Sequence, residues 1–209
     1  MFDYDERQAL MNPWKSIELN DYEAHMSSEN VLQLQMLNTI MAEQMLYNPS
    51  KVAVLGAAGG NGFEHLHTAD EIYAVDINAD FLKHCAEKHS YLGDKLKVVQ
   101  ADLNEAVLPE CELLICNLIV EYLGTNAFVR LLERSKFDIA SCVIQRDCGE
   151  NFISTSKAAE KLQSLSSFHH DIDEENLVKS LGLRTILRNN YTLPNNKELI
   201  RIDFKGAIK

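Results

Sequence analysis

The stretch VAVLGAAGGNG, residues 52–62, decides the fold of this protein. Its first four residues are apolar, as in a strand buried on both faces, and they lead directly into a turn that contains Gly56, Gly59, Gly60 and Gly62. Glycine lets the backbone approach a ligand closely, so a strand ending in such a turn is typical of a binding site at the carboxyl edge of a parallel sheet. A turn of this kind can also serve tight packing alone.

Polar residues end three further strand-like runs. Asp76 lies at the end of EIYAVDI, Asp102 ends KLKVVQAD, and Asn117 lies at the end of ELLICNL. Parallel strands end at one edge of a sheet, so these side chains and the glycine turn are predicted to meet there. A carboxylate about twenty residues beyond Gly56 can accept hydrogen bonds from both ribose hydroxyls of a nucleotide. The alternative is local, since Asp76 could only cap the helix that starts near Ala79, and Asp102 the turn that follows it.

The region after residue 50 alternates short apolar runs with helical stretches near 79–89 and 122–135. This alternation predicts an α/β, Rossmann-like, doubly wound fold with about seven strands, mostly parallel. The runs LRTILRNNYTL and KELIRIDFK flank the turn sequence PNN at 194–196, which leaves no room for a crossover helix. They are therefore predicted to form a C-terminal antiparallel hairpin.

The sequence predicts two parts, a helical N-terminal appendage over 1–50 and a ligand-binding domain over 51–209. Apolar residues at spacings of three or four predict a helix over 28–46, with Ser27 or Ser28 as its N-cap. The preceding PWKSIELNDYEAHM has no clean period and is predicted to form loop or short helices.

Two helix starts carry sequence signals. Asn78 with Asp80 predicts the beginning of the helix near 79–89. Asp171 with Glu174 has the spacing of a capping box and predicts another helix start.

The ordered motifs VLGAAGG, YAVDI, VVQADL and LLICNL, together with the terminal hairpin, resemble those of class I S-adenosylmethionine-dependent methyltransferases. The resemblance spans about residues 51–205 and implies S-adenosylmethionine as the cofactor. Two positions depart from the family pattern: Ala58 replaces the middle glycine of the loop, and Val54 stands where an acid is usual. The cofactor-binding residues that the resemblance implies are Gly56, Ala57, Ala58, Gly60, Asp76, Ile77, Asp102, Leu103 and Asn117.

The resemblance also implies individual roles. The glycine loop would lie beside the methionine portion, Asp76 would hold the ribose hydroxyls, and Ile77 would lie against adenine. Asp102 would accept from the adenine amino group, Leu103 would offer its backbone amide, and Asn117 would stand near the methionine or methyl end. The expected activity is methyl transfer to an unidentified small-molecule acceptor.

Two other functions remain open. The GxxxGxG spacing at 56–62 also resembles short-chain, nicotinamide-dependent oxidoreductases, whose Tyr-xxx-Lys pair is matched by Tyr91 and Lys95. The intervening Gly93 and Asp94 are poor residues for the helical turn that this pair requires, so the match is interpreted as accidental. The third possibility is a module that binds S-adenosylmethionine without catalysis.

The appendage is predicted to supply a lid, because aromatic and thioether side chains suit both an adenosyl group and a sulfonium cation. The same side chains could instead only fix the first long helix to the core. No catalytic residue is identified, and the candidate bases are His25, Glu121, Tyr122, His169 and His170. The residues predicted to form the lid and the acceptor pocket are Trp14, Tyr22, His25, Met26, Glu121 and Tyr122.

Composition limits the remaining classes. The chain has 209 residues with 20 Lys plus Arg against 31 Asp plus Glu, a net charge of −11, which makes nucleic acid a poor partner. The longest strongly apolar stretch, residues 113–120, is far shorter than the roughly 20 residues of a membrane span, and the acidic start is unlike a signal peptide.

Five cysteines without a CxxC pair favour free thiols, and HHDxD at 169–173 is interpreted as a solvated loop and not as a metal site. We therefore expect a cytoplasmic protein with no metal, whose oligomeric state the sequence leaves open.

Overall fold

The computed structural model describes residues 12–148 and 152–206. Within these residues, seven strands form one mixed sheet. The strands are β1 (Lys51–Leu55), β2 (Glu71–Asp76), β3 (Leu96–Gln100), β4 (Cys111–Asn117), β5 (Phe137–Asp147), β6 (Arg184–Thr192) and β7 (Lys197–Lys205). Their order in the sheet is β3-β2-β1-β4-β5-β7-β6.

The first five strands are parallel to one another, whereas β7 pairs antiparallel with both β5 and β6. The predicted doubly wound fold with a C-terminal antiparallel hairpin is therefore confirmed. The order reverses between β1 and β4, and ligands of open α/β sheets bind at such a switch point, outside the carboxyl ends of the strands.

Five α-helices are present in the described residues. They are α1 (Leu19–Met26), α2 (Gln33–Gln44), α3 (Ala79–Lys88), α4 (Val120–Glu133) and α5 (Glu174–Leu181). Short 3-10 helices cover Pro13–Lys15, Met45–Tyr47, Phe63–Thr68, Ser90–Lys95 and Ala159–Ser167. None of the described helices is long and apolar enough to cross a bilayer.

The helices cover both faces of the sheet. Phe128 of α4 and Leu177 of α5 belong to one buried apolar cluster, and Met41 of α2 and Leu82 of α3 belong to another. Residues of β1 alternate between these two clusters, as expected for a central strand buried on both sides. The sheet is thus held in place by two apolar layers, and its carboxyl edge is left to loops.

The helix predicted over 28–46 is shorter than expected. Ser27 is the C-cap of α1, and its backbone N–H and its hydroxyl both donate to the carbonyl of Glu23, at 2.9 and 2.6 Å. Leu32, in the left-handed conformation at φ 51°, precedes the first residue of α2, Gln33. The prediction that Ser27 or Ser28 caps this helix is therefore wrong, and the segment before it does form short helices.

The capping-box prediction for the last helix is also wrong. Asp173, not Asp171, caps α5, and its Oδ1 accepts from the backbone N–H of Asn176 at 2.7 Å. The start predicted from Asn78 is confirmed, because its Oδ1 accepts from the N–H groups of Asp80 and Phe81 at 3.0 and 3.2 Å.

Candidate functional site

A crevice opens at the carboxyl ends of β1, β2 and β4, where the glycine turn lies. Gly56 follows β1 with φ 65°, and the N–H groups of Gly56 and Ala57 both donate to the carbonyl of Val75, at 2.9 and 3.1 Å. The turn is thereby tied to β2. Thirteen of the fifteen predicted site residues line the crevice, namely Trp14, Tyr22, His25, Met26, Gly56, Ala58, Asp76, Ile77, Asp102, Leu103, Asn117, Glu121 and Tyr122.

Two of the predicted loop residues do not line the crevice. Ala57 is buried in the apolar cluster beneath the sheet. A Cβ at Gly60 would lie 2.7 Å from the imidazole of His89 and 2.8 Å from Sγ of Cys85, so the absence of a side chain at Gly60 allows close packing against α3. Their roles in cofactor binding remain predictions, and the structure gives both residues a packing role.

Asp76 is buried between the glycine turn and the start of α3. Its Oδ2 accepts from the N–H of Ala58 at 2.9 Å, and its Oδ1 accepts from the N–H of Asn78 at 2.9 Å. Burial raises the pKa of Asp76, and hydrogen bonds from Asn78, Ala58 and Ile77 oppose that rise. Each carboxylate oxygen has two lone pairs, so both oxygens can accept a further hydrogen bond from a ligand in the crevice. Asp76 therefore holds the loop and can also hold a ligand.

Asp102 follows β3 in a tight turn that lines the crevice. Its Oδ1 accepts from the backbone N–H of Asn104 at 2.9 Å and from the side chain of Asn104 at 3.0 Å. Nη2 of Arg134 donates to the carbonyl of Leu103 at 2.6 Å, which fixes this turn against α4. The local capping role is thus real, and within the described residues the hydrogen bonds of Asp102 use Oδ1, which leaves Oδ2 able to accept from a ligand.

Asn117, at the end of β4, is held by a buried polar network that the sequence analysis missed. Nε2 of Gln44 donates to Oδ1 of Asn117 and to Oγ of Ser141, both at 2.9 Å. Ser141 donates to Oδ1 of Asp203 at 2.5 Å, and Asp203 pairs with Arg201 at 2.6 Å. One signal could have indicated it: KELIRIDFK places Arg201 and Asp203 two residues apart, on one face of an otherwise apolar strand.

Aromatic residues of the N-terminal segment cover the crevice. The ring of Trp14 lies edge-on to Tyr22 and to Tyr122, with centroids 5.5 and 4.8 Å apart. Nδ2 of Asn78 donates to the carbonyl of Trp14 at 2.8 Å, which fixes the segment to the start of α3. These rings both line the cavity and pack on one another, so the structure gives them a packing role beside the predicted role in ligand contact.

The two tyrosines are poorly suited to act as proton acceptors, whereas His25 is kept in its neutral form. Nδ1 of His25 lies 2.7 Å from Oγ of Ser156, and burial together with the charge of Lys197 lowers the pKa of His25. Burial also raises the pKa values of Tyr22 and Tyr122 well above the usual value, so both phenols stay protonated at neutral pH.

Glu121 is the most perturbed carboxyl group of the crevice. Its Oε1 accepts from the backbone N–H of Gln145 at 2.6 Å, whereas its buried Oε2 has no hydrogen-bond partner within the described residues. Burial, with a smaller contribution from the charge of Asp147, raises the pKa of Glu121 to about 7.

The two other candidate bases lie outside the crevice lining. The imidazole of His169 stacks on Phe152 with centroids 3.6 Å apart, so the description of His169 as a solvated loop residue is wrong. His170 is exposed, and its backbone N–H donates to the carbonyl of Glu121 at 2.7 Å. The possible metal group of Asp147, His169 and Asp171 has one carboxylate already paired, since Asp147 lies 3.1 Å from Nζ of Lys197.

Tyr91 and Lys95 are far from the geometry of an oxidoreductase proton relay. Tyr91 is an exposed side chain, and Gly93 interrupts the short helix between the two residues with φ 57°. Nζ of Lys95 donates to the carbonyl of Ala69, which precedes the amino end of β2, the edge of the sheet away from the crevice. The interpretation of this motif as accidental agrees with that placement.

Sequence analysis also missed part of the crevice wall. Leu162 and Leu165 of the 3-10 helix Ala159–Ser167 line it, as do Gln33, Phe81, Gln145, Phe152 and Ile153. The spacing of Leu162 and Leu165 is the one available signal, because residues three apart share a face of a helix.

No protein-family model matches the sequence, and no curated protein matches it. Solved structures do resemble it. Magnesium protoporphyrin IX methyltransferase (ChlM) from Synechocystis PCC 6803 with bound SAH has a TM-score of 0.70 at 10% identity, covering 95% of this chain and 99% of that chain. N-methyltransferase NodS from Bradyrhizobium japonicum WM9 in complex with S-adenosyl-L-homocysteine has a TM-score of 0.63 at 12% identity, covering 90% and 98%. The cyclase SpnF has a TM-score of 0.63 at 10% identity, covering 83% and 82%. The chain therefore has the Rossmann-like fold of class I methyltransferases.

Proposed function

We propose that this protein transfers a methyl group from S-adenosylmethionine to a small-molecule acceptor. The observation that carries the proposal is the position of Asp76, a buried carboxylate at the carboxyl end of β2 that braces the glycine turn and borders an open crevice. Two structures of the same fold hold S-adenosyl-L-homocysteine (SAH), and the names of both proteins describe methyltransferases. The fold resemblance and the acid at this position together favour an adenosyl ligand.

The crevice residues fit such a ligand in chemistry. Asp76 offers acceptor oxygens for the ribose hydroxyls, and Ile77 offers an apolar surface for adenine. Asp102 and Leu103 also line the crevice and are proposed to contact the adenine amino edge, and Gly56 is proposed to give backbone access for the methionine portion. The full set proposed for the cofactor is Gly56, Ala57, Ala58, Gly60, Asp76, Ile77, Asp102, Leu103 and Asn117.

S-adenosylmethionine supplies a methyl group that its sulfonium already activates. The protein then has to orient an acceptor and exclude water, and proximity can supply much of the acceleration. Trp14, Tyr22 and Tyr122 form an aromatic surface at the crevice that can serve both purposes and can favour a nearby cation. The acceptor side is proposed to include His25, Met26 and Glu121.

The chain is proposed to consist of an N-terminal lid segment, residues 1–50, and a cofactor-binding domain, residues 51–209. Helix α1 lies over the glycine turn, where a Cβ at Gly59 would meet Glu23 and Leu19. The end of α2 is anchored to the sheet through Gln44. The lid is therefore proposed to move at the α1 segment, and α2 to act as its support.

The proposed setting is the cytoplasm, and the proposed partner is a small molecule instead of nucleic acid. All five cysteines are free, and Cys85, Cys111, Cys116 and Cys142 are buried, which suits a reducing compartment. The net charge of −11 opposes phosphate backbones.

A second candidate is supported by the cyclase SpnF, whose similarity shows that this fold is not restricted to proteins named methyltransferases. The protein could then bind S-adenosylmethionine without transferring its methyl group.

Thermal unfolding with S-adenosylmethionine, S-adenosylhomocysteine and NAD distinguishes the functions, because a ligand at a hundred times its dissociation constant adds about 2.7 kcal/mol of stability. We expect stabilisation by both adenosyl compounds and none by NAD. Stabilisation by NAD alone would favour an oxidoreductase, and binding without methyl transfer to any of a broad acceptor panel would favour the second candidate.

A further inference from the structure

Glu121 has an oxygen for which the protein supplies no partner. The side chain is 2% exposed, and its Oε1 is occupied by the backbone N–H of Gln145. Oε2 is buried and receives no hydrogen bond within the described residues, and none of the salt bridges in that part of the chain includes Glu121. Buried polar groups are almost always hydrogen-bonded, because an unsatisfied one costs about 1–3 kcal/mol and more when it is charged.

The surroundings of Glu121 indicate what kind of ligand could satisfy its unpaired oxygen. The crevice that Glu121 lines also contains Met26, Tyr122 and Phe152, which offer an apolar and aromatic surface. When Glu121 is ionised, Oε2 is an unpaired hydrogen-bond acceptor in a crevice whose lining is mostly apolar and aromatic, and a few placed polar groups are how small-molecule sites fix the orientation of a ligand. Gln145, the residue that holds Oε1, lies on the rigid strand β5, so the carboxyl group is held in place before any ligand binds.

We propose that Oε2 of Glu121 recognises the methyl acceptor, and that the acceptor is a small aromatic or apolar compound that presents an N–H or O–H group to it. This inference rests on the proposed function for the identity of the ligand as an acceptor. An amine or a hydroxyl group is both a hydrogen-bond donor and a nucleophile, so the group that satisfies Oε2 is the one a methyl transfer would modify.

The substitution Glu121→Gln tests the proposal, because it reverses hydrogen-bond polarity at one atom. The backbone N–H of Gln145 requires an acceptor, so the amide oxygen of the variant will take the place of Oε1. The amide NH2 group then replaces Oε2 and donates instead of accepting. The matched control is Glu87→Gln, the same chemical change at an exposed position of α3.

The probes are two pairs, phenol with anisole and aniline with N,N-dimethylaniline. In each pair the second compound has similar shape and lacks the donor hydrogen. Binding is measured at pH 8, where Glu121 is ionised and Oε2 accepts, by ligand-observed NMR titration with and without saturating S-adenosylhomocysteine. We expect the wild type and Glu87→Gln to bind phenol and aniline at least tenfold more tightly than the methylated partners. In Glu121→Gln this preference should fall to less than threefold, while anisole affinity changes by less than threefold.

Three results of the titrations with the probe pairs would overturn the proposal. They are equal affinities within each pair in the wild type, absence of phenol and aniline binding to the wild type, and an unchanged preference in Glu121→Gln. A variant that weakens S-adenosylmethionine but not S-adenosylhomocysteine would instead assign Glu121 to the sulfonium charge, which also overturns it. Failure of the wild type to bind either adenosyl compound would contradict the proposed function. The preference for phenol over anisole and for aniline over N,N-dimethylaniline, measured without an adenosyl compound, would still test the role of Glu121 in ligand recognition. Should Glu121→Gln fail to fold, the wild-type preference is measured at pH 8 and at pH 5.5, where protonation of Glu121 makes Oε2 a donor. The preference should then fall to less than threefold at pH 5.5, and an unchanged preference would overturn the proposal.

Discussion

The side chains of Gln44 and Asn117 form a reciprocal pair between α2 and the end of β4. Nε2 of Gln44 donates to Oδ1 of Asn117 at 2.9 Å, and Nδ2 of Asn117 donates to Oε1 of Gln44 at 3.3 Å. Gln44 is fully buried and also donates to Ser141. The orientation of a predicted cofactor residue is therefore set by a helix that precedes the cofactor-binding domain in the chain.

Replacing Gln44 with Ala should destabilise the protein by about 1–3 kcal/mol, because Asn117 loses its partner and Ser141 loses a donor in a buried environment. Urea denaturation measures the change. Gln35→Ala, at an exposed position of the same helix, is the control and should stay within about 0.5 kcal/mol of the wild type. Equal stability of the two variants would show that the network contributes nothing.

The fold could be predicted from the sequence because the local signals of successive elements are consistent with one parallel sheet. The β1 run, the glycine turn and the polar residues that follow the strands each have local signals, and all of them lie where parallel strands place them. The Gln44 network could not be predicted, because it joins residues that are distant in the chain and each looks ordinary alone. The burial and the raised pKa of Glu121 could not be predicted either, because they depend on α4, on β5 and on the lining of the crevice together.

The raised pKa of Glu121 predicts a change of stability with pH. The folded pKa is about 7 against a usual value of 4.5, so between these values the folded state holds a proton that the unfolded state has lost. Stability should therefore fall as pH rises from about 4.5 to about 7, by about 3 kcal/mol, and should then level off. The titratable groups that interact electrostatically with Glu121 are Asp147, Cys142 and Tyr122. All three are unchanged in the variant Glu121→Gln, so their contribution cancels when it is compared with the wild type.

The measurement is the free energy of unfolding of the wild type and of Glu121→Gln at pH 5 and at pH 8. The variant lacks the titrating group, so its stability relative to the wild type should rise between the two pH values. A difference that is the same at both values would mean that Glu121 titrates normally.

The lid residues Trp14 and Tyr22 should affect ligand binding as well as folding. Trp14→Ala removes ring contacts to Tyr22 and Tyr122, each worth about 0.5–1.5 kcal/mol beyond buried area. We expect both Trp14→Ala and Tyr22→Ala to weaken S-adenosylhomocysteine at least fivefold in calorimetric titration. Tyr91→Ala, at an exposed position, is the control.

Lower stability with unchanged ligand affinity in both variants would show that these rings only fix the N-terminal segment to the core. The structure makes this alternative concrete, because Tyr22 stacks on Phe81 of α3 with centroids 6.3 Å apart. The titration must therefore be done well below the melting temperature of each variant.

Calorimetric titration of S-adenosylmethionine into the wild type and into Asp76→Ala tests the central claim most directly, with the exposed Asp80→Ala as control. Asp76 also accepts from Ala58 and Asn78, so the variant should lose stability, and binding is compared at a temperature where all three proteins are folded. We predict that the wild type and Asp80→Ala bind the compound and that Asp76→Ala loses about 1–3 kcal/mol of binding free energy. Absence of binding to the folded wild type, or equal affinity in Asp76→Ala, would contradict the account.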